Sequence, residues 1–133
     1  MRSIFAALRG WAGIGNDLST NVEKWLSTTG GLVGILGVAL VSQSQLGLAG
    51  SASIIASMGS SAVLLFAVPH GPLSQPWSVF GGHLVSAIVG VTCVKLIPAP
   101  MLAAAIAVAL AIGAMHYLRC IHPPGGATAL GAV

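Results

Sequence analysis

At 133 residues the chain is one domain's worth of sequence. Hydrophobic residues make up 56% and charged residues 5%, against roughly 25% charged in ordinary soluble domains. Five Lys/Arg and two Asp/Glu cannot clothe a soluble domain of this size, so the bilayer has to act as solvent. The net charge of +3 is scattered along the chain, which leaves no basic patch and excludes nucleic acid as a partner.

Residues 1–20 read as an amphipathic or flexible N-terminal segment. Ile4, Phe5, Leu8 and Trp11 fall at helical spacing, with Arg2 and Arg9 elsewhere around the wheel. The apolar stretch is short and interrupted by Arg9, so it does not fit a cleavable signal peptide. Thr20-Asn21-Val22-Glu23 has the spacing of a capping box and sets a helix start at Asn21. The first span covers about 21–42, with Trp25 as interface anchor and Gly30, Gly34 and Gly37 allowing a neighbouring helix to approach closely. Ser42-Gln43-Ser44-Gln45 is its polar exit.

The second span, about 46–68, carries Gly50, Ser51, Ser53, Ser57, Gly59, Ser60 and Ser61 in its first two thirds. A lipid-facing helix would not be written that way, and the span belongs inside the bundle. Pro69 to Trp77 is a proline-rich loop holding His70. The third span, about 78–97, opens at Gly81-Gly82-His83 and presents Gly82, Ser86 and Gly90 at four-residue spacing. Pro98-Ala99-Pro100 allows only a tight reversal into the fourth span, about 101–121, where Ala103, Ala107 and Ala111 repeat the small-residue face. Cys93 and Cys120 then fall near opposite membrane faces, too far apart for a disulfide.

The chain is organised around His122-Pro123-Pro124-Gly125-Gly126-Ala127-Thr128. Two prolines end the fourth span, and Pro124 suits the first position of a new helix. This broken segment, 122–133, begins a further half or truncated helix: from Pro123 onward there are 11 residues, roughly 16 Å of helix, half a membrane. The fold class is therefore all-α, a polytopic membrane bundle of about four spans. A break at membrane depth survives only inside protein or at a wet cavity, and N–H groups opening a helix favour anions. Gly59-Ser60-Ser61-Ala62 echoes Gly126-Ala127-Thr128-Ala129, and paired interrupted segments point to a transporter's binding site.

Arg2, Arg9, Lys24 and Arg119 collect on one side and Lys95 on the other, which orients the N-terminus to the cytoplasm by the positive-inside rule. The only acids are Asp17 and Glu23, so no intramembrane carboxylate is available as a base, and no nucleophile motif surrounds a serine; enzymatic activity is not expected. His116 and Cys120 share a helix face near His122, a weak set of transition-metal ligands.

The string from His122 to Leu130 resembles the signature of the HPP family of integral membrane proteins. Gly59 to Phe66, Pro72 to Pro76 and Gly81 to Ala87 are similar to that family's other recurring blocks, in the family's order. The resemblance implies a compact helical membrane domain, fused in some bacterial members to CBS domains that are not seen here. It also implies a nitrite-transporter-like role, since plant and cyanobacterial relatives are implicated in nitrite transport. Family members generally continue past the signature into another apolar helix. By resemblance His122, Pro123, Pro124, Gly125, Gly126 and Thr128 carry over as signature positions, with Gly81, Gly82 and His83 as a second block.

Residues and resemblance together lead to an expected transporter or channel for a small inorganic anion, nitrite first, in a bacterial inner membrane. The anion is held at the helix openings of Gly125-Gly126 and Gly59-Ser60, with Ser61 and Thr128 hydroxyls assisting. His83, His122 or Arg119 supplies charge or a proton, and no cofactor is required. Membrane lipid and further copies of the chain are the expected partners. The alternatives are a metal-binding or metal-permeating protein and a non-transporting membrane subunit.

Overall fold

The computed structural model describes residues 19–133 together with Ile4, Trp11 and Ala12; the expected amphipathic N-terminal helix otherwise lies outside the described residues. From Asn21 onward four α-helices follow one another: α1 (Asn21–Ala67), α2 (Pro76–Leu96), α3 (Pro100–Tyr117) and α4 (Pro124–Gly131), with a 3-10 turn at Pro72–Ser74 before α2. Among the described residues no strand occurs. The molecule is an all-α membrane bundle, as the composition demands.

The capping box at Thr20 forms as its spacing predicts. Glu23 N–H donates to Thr20 Oγ1 (3.2 Å) and Thr20 N–H to Glu23 Oε2 (2.6 Å), so α1 begins at Asn21. Its course differs from expectation. The polar run Ser42–Gln45 stays helical, and the only non-helical backbone inside α1 is Gly47, at φ 70° and ψ 177°. That region is open to glycine and strained for other residues. Gly47 doubles the helix back on itself. Ser27 Oγ–H donates to the carbonyl of Phe66, 39 residues away in sequence, a separation that a straight helix would stretch to roughly 58 Å. Residues 21–46 and 48–67 are thus antiparallel arms, roughly 39 and 30 Å long, with the Phe66 ring lying over Gly30 and Gly34.

By length and composition α1, α2 and α3 can each cross a membrane. With α1 doubled at Gly47, the bundle presents four membrane-length rods. The outward faces are apolar: Leu32, Val33, Leu36, Phe80, Leu102 and Leu110 are all exposed, as suits a surface solvated by lipid tails.

Small residues set the interior. Ala103, Ala107 and Ala111 are completely buried on α3, and Cys93 of α2 packs into the same cluster with Ala129 of α4. Both cysteines remain free thiols. Gly82, Ser86 and Gly90 are buried on α2, where they receive the segment from Cys120 to Ala132. A Cβ on Gly82 would lie 2.5 Å from the His122 Cβ, and one on Gly125 2.7 Å from Ser86 Oγ and 2.9 Å from the Gly82 carbonyl. Backbone meets backbone there, and no larger side chain fits between. The small-residue faces of α2 and α3 are consequently filled from within the chain.

Two helix boundaries correct the expected ones. α2 starts at Pro76, proline occupying the first helical position, so Gly81-Gly82-His83 sits in its second turn and does not open it. α3 ends at Tyr117; Leu118 to Pro123 is extended or turning, with Arg119 at φ 55°. Trp77 Nε1–H donates to the Leu118 carbonyl (3.1 Å), tying the start of α2 to the end of α3 on one side of the bundle.

The contact at Gly82 makes a sharp prediction. Gly82→Ala forces the added methyl into His122 and should destabilise the fold by about 1–3 kcal/mol, as overpacking does. Gly31→Ala, where nothing lies within 4 Å of the new Cβ, should lose no stability. Equilibrium unfolding in detergent micelles compares the two.

Candidate functional site

Four parts of the chain bring four polar side chains to one place. Ser61 lies on the inner face of the second arm of α1, with Ser51 and Ser57 buried on the same arm. His83 projects from the second turn of α2. His122 is delivered by the extended segment that the prolines impose after α3, and Thr128 stands one turn into α4. The break after α3 exists because Pro123 and Pro124 cannot continue it; the glycines of α2 let the broken chain settle against that helix.

The four side chains form one row. The Ser61 Oγ lies 2.8 Å from His83 Nε2 and 2.9 Å from His122 Nε2. His83 Nδ1 is 2.7 Å from Thr128 Oγ1, and His122 Nδ1 is 2.8 Å from the carbonyl of Leu73 in the 3-10 turn. The two imidazole rings meet edge to face, with centroids 4.9 Å apart. His122 is 0% and Ser61 3% exposed, while His83 and Thr128 are half-buried. Among the described residues every buried side-chain nitrogen or oxygen has a hydrogen-bond partner.

The direction of each bond follows from chemistry. The Leu73 carbonyl can only accept, so His122 Nδ1 carries a hydrogen; in the neutral ring Nε2 is then an acceptor. Ser61 has one hydrogen, and giving it to His122 Nε2 makes its oxygen the acceptor from His83 Nε2–H. His83 Nδ1 is left as acceptor and takes the hydrogen of Thr128. The neutral row therefore reads in one sense: Thr128 to His83 to Ser61 to His122 to Leu73. Each of the two hydroxyls has an alternative, more distant acceptor, the Ser57 carbonyl for Ser61 Oγ (3.3 Å) and the Pro124 carbonyl for Thr128 Oγ1 (3.4 Å).

One end of the row reaches a cavity of ≈ 620 Å³. Met58, Phe80, Leu84 and Ala87 give it apolar walls, and His83 and Thr128 stand among its lining residues. Ser61 and His122 do not line it. They lie behind His83, so anything in the cavity addresses the row through Thr128 and His83.

Of the residues singled out in the sequence, Ser61, His83, His122 and Thr128 are brought together. Gly59 and Ser60 are not: α1 runs through them as regular helix, and Ser60 is exposed with its hydroxyl turned back to the Ala56 carbonyl (3.4 Å). The second interruption of that arm does not exist, because glycine and serine are tolerated inside a helix once tertiary packing holds it. Gly125 and Gly126 do open α4, but not as a free anion cradle. Pro123 and Pro124 have no N–H, Gly125 N–H donates to the His122 carbonyl (2.8 Å) and Gly126 N–H to the Pro123 carbonyl (3.0 Å). Gly81 and Gly82 serve as contact surfaces for Cys120 and His122. Arg119 is exposed and stands apart from the row, as are His70 and His116. Among the described residues no group of three His, Cys, Asp or Glu is placed to hold a metal: His116 is exposed while Cys120 and His122 are buried.

The Leu73 carbonyl, which fixes the His122 tautomer, was not legible as a functional group. The clue was its position between Pro72 and Pro76, where a proline-bracketed turn stops short of a helix and leaves carbonyls unpaired.

With this geometry in place, comparison with known proteins is decisive at the family level. The family described as HPP, transmembrane region, matches residues 17–133. The chain belongs to the HPP family. Two transmembrane proteins of Dictyostelium discoideum are similar to it: one is 43% identical over 118 residues, covering 86% of this chain and 37% of the relative, and another 37% identical over 131 residues, covering 90% and 45%. The chain thus spans less than half the length of these curated relatives. No solved structure matches it.

The shared hydroxyl gives a second prediction. Ser61→Ala deprives both imidazole Nε2 atoms of their partner and should cost about 1–3 kcal/mol of stability, as unsatisfied buried groups do. Ser60→Ala, on the exposed face, should change it by no more than about 0.5 kcal/mol. Thermal unfolding of the purified variants in detergent measures both.

Proposed function

We propose that this HPP domain is the membrane part of a transporter or channel for a small inorganic anion, with nitrite the first candidate. The observation that carries the reading is the row Thr128–His83–Ser61–His122, polar and ionisable, set among apolar helices with its outer end at a cavity. Ionisable groups inside a membrane protein are costly and mark solute or proton routes. The polar side chains among the lining residues are the His83 imidazole, which becomes positive on protonation, and the hydroxyls of Thr128, Ser57 and Ser74. The only described carboxylate, Glu23, caps the start of α1. Such a lining suits an anion better than a cation.

The anion's partner in this reading is the Thr128 hydroxyl, whose hydrogen becomes available to the cavity once His83 Nδ1 carries a hydrogen of its own, in place of helix-opening amides. An enzymatic role is not proposed: Ser61 pairs with His122, but its oxygen is buried, engaged by two imidazoles and absent from the cavity wall. The chain is read with its N-terminus on the cytoplasmic side, together with Lys24 and Arg119. It is also read as a homo-oligomer, since the first arm of α1 leaves a long flank bare of protein.

The test is uptake of labelled nitrite, nitrate and formate into liposomes holding the purified chain. Nitrite influx should exceed that of empty liposomes, and Thr128→Val, which keeps the volume and removes the hydroxyl, should lower it roughly fivefold, the equivalent of one neutral hydrogen bond. No flux of any of the three anions would overturn the transport reading, and equal uptake by wild type and Thr128→Val would remove Thr128 from the site.

A further inference from the structure

The row of side chains has a second complete hydrogen-bond pattern, reached without moving a heavy atom. A proton delivered from the cavity joins the Thr128 oxygen, and the hydrogen that Thr128 already held passes to His83 Nδ1. The hydrogen on His83 Nε2 passes to Ser61 Oγ, and the former Ser61 hydrogen passes to His122 Nε2. Every bond between the four side chains is then reversed. His122 donates from Nε2 to Ser61 and from Nδ1 to Leu73, Ser61 donates to His83 Nε2, and His83 Nδ1–H donates to Thr128. The Thr128 hydroxyl, displaced from His83, is then free to donate to an anion in the cavity, with the Pro124 carbonyl at 3.4 Å as its acceptor when no anion is bound. One proton has entered, one imidazole has become an imidazolium, and no donor or acceptor is stranded.

We infer that the row Thr128–His83–Ser61–His122 is a one-proton acceptor, filled from the cavity and balanced by one anion bound there. This rests on the transport reading above and extends it from anion passage to joint binding of an anion and a proton. The proton donor is hydronium or the protonated oxyacid itself.

The surroundings explain why an anion is needed. The second arm of α1 presents Ser57 and Ser61 to the row, the 3-10 turn presents the Leu73 carbonyl, and α4 presents Thr128. From α3 the nearest group at the Gly125–Ser86 contact is the thioether of Met115. On the broken segment Cys120 is a buried thiol packed on Gly81. None of these is charged, and the only other ionisable ring is His83, which faces the same serine. A cation on a ring of the row is therefore uncompensated among the described residues, and burying such a charge without a partner is expensive. An anion at Thr128 and His83 supplies the partner. A second proton is disfavoured by the first, because the rings are 4.9 Å apart. The geometry thus sets a ratio of one proton to one anion.

The test uses the full chain with 15N-labelled histidine in lipid vesicles. Nitrogen chemical shifts from solid-state NMR report ring tautomer and charge. Near pH 8, above the ordinary imidazole range, His122 should show the Nδ1–H tautomer and His83 the Nε2–H tautomer. On acidification toward pH 5 a single imidazolium should appear in the row, and its midpoint should rise when nitrite replaces sulfate. By linkage, nitrite affinity should increase on the order of tenfold over the same range. Ser61→Ala should abolish that pH dependence and Ser61→Thr, which restores a hydroxyl, should recover it.

Identical tautomers for the two histidines, two imidazolium rings per chain, or a midpoint that no anion moves would each overturn the inference. A midpoint moved by formate or nitrate but not by nitrite supports one-to-one binding and overturns nitrite as the substrate. A normal linkage with no flux into liposomes overturns transport and leaves joint binding supported.

Discussion

A single hydroxyl hydrogen governs this molecule's polar interior. Ser61 stands between two imidazole nitrogens and can give its hydrogen to only one of them. While both rings are neutral, that limit, with the Leu73 carbonyl accepting from His122, fixes the tautomer of each and the sense of every bond in the row. The alternative arrangements, with two donors or two lone pairs facing each other, leave a polar group unsatisfied in a medium where that is costly. A network so constrained gains rigidity and definition as long as all its members are present.

What holds the row in register is close packing of backbone. His122 reaches Ser61 because Gly82 has no side chain, and α4 lies against α2 because Gly125 and Gly90 have none either. In lipid there is little hydrophobic force drawing helices together, so contacts between small residues and hydrogen bonds across helices carry the association. Both are concentrated here. The interior cluster is alanine and cysteine, and the large apolar residues are left for the membrane. The polar row and the small-residue faces are two parts of one arrangement, since the first can form only where the second permits close approach.

Most of the fold was legible because membrane helices leave coarse marks. The capping box at Thr20, the tight Pro98-Ala99-Pro100 reversal, Pro124 and the run of alanines on α3 each marked a helix end or face from local chemistry, whereas Pro76, a loop residue by its sequence context, occupies the first position of α2. The site was legible by composition and not by geometry. Ser61, His83, His122 and Thr128 stand out as polar residues in apolar surroundings, yet their meeting depends on the reversal at Gly47, and nothing in the sequence distinguishes Gly47 from Gly50 or Gly59. The polar run at 42–45 suggested the turn a few residues early because serine and glutamine are read as loop formers when packing is ignored. The amides of Gly125 and Gly126 looked free for an anion because the tight turn after His122 and Pro123, which engages both, is set by tertiary contacts with Gly82 and Ser86.

The reversal at Gly47 also separates the molecule into parts of unequal standing. The first arm of α1 touches its partner through Phe66, Ser27 and two glycines, and it contributes no atom to the histidine row. The second arm is fastened at its far end, where the Ser74 hydroxyl reaches the carbonyls of Leu64 and Val68, and along its length by Ser61. Peeling the first arm away would leave the row whole, whereas lifting the second would empty its centre. The hinge thus marks the border between a lipid-bathed outrigger and the part of the chain that carries the chemistry.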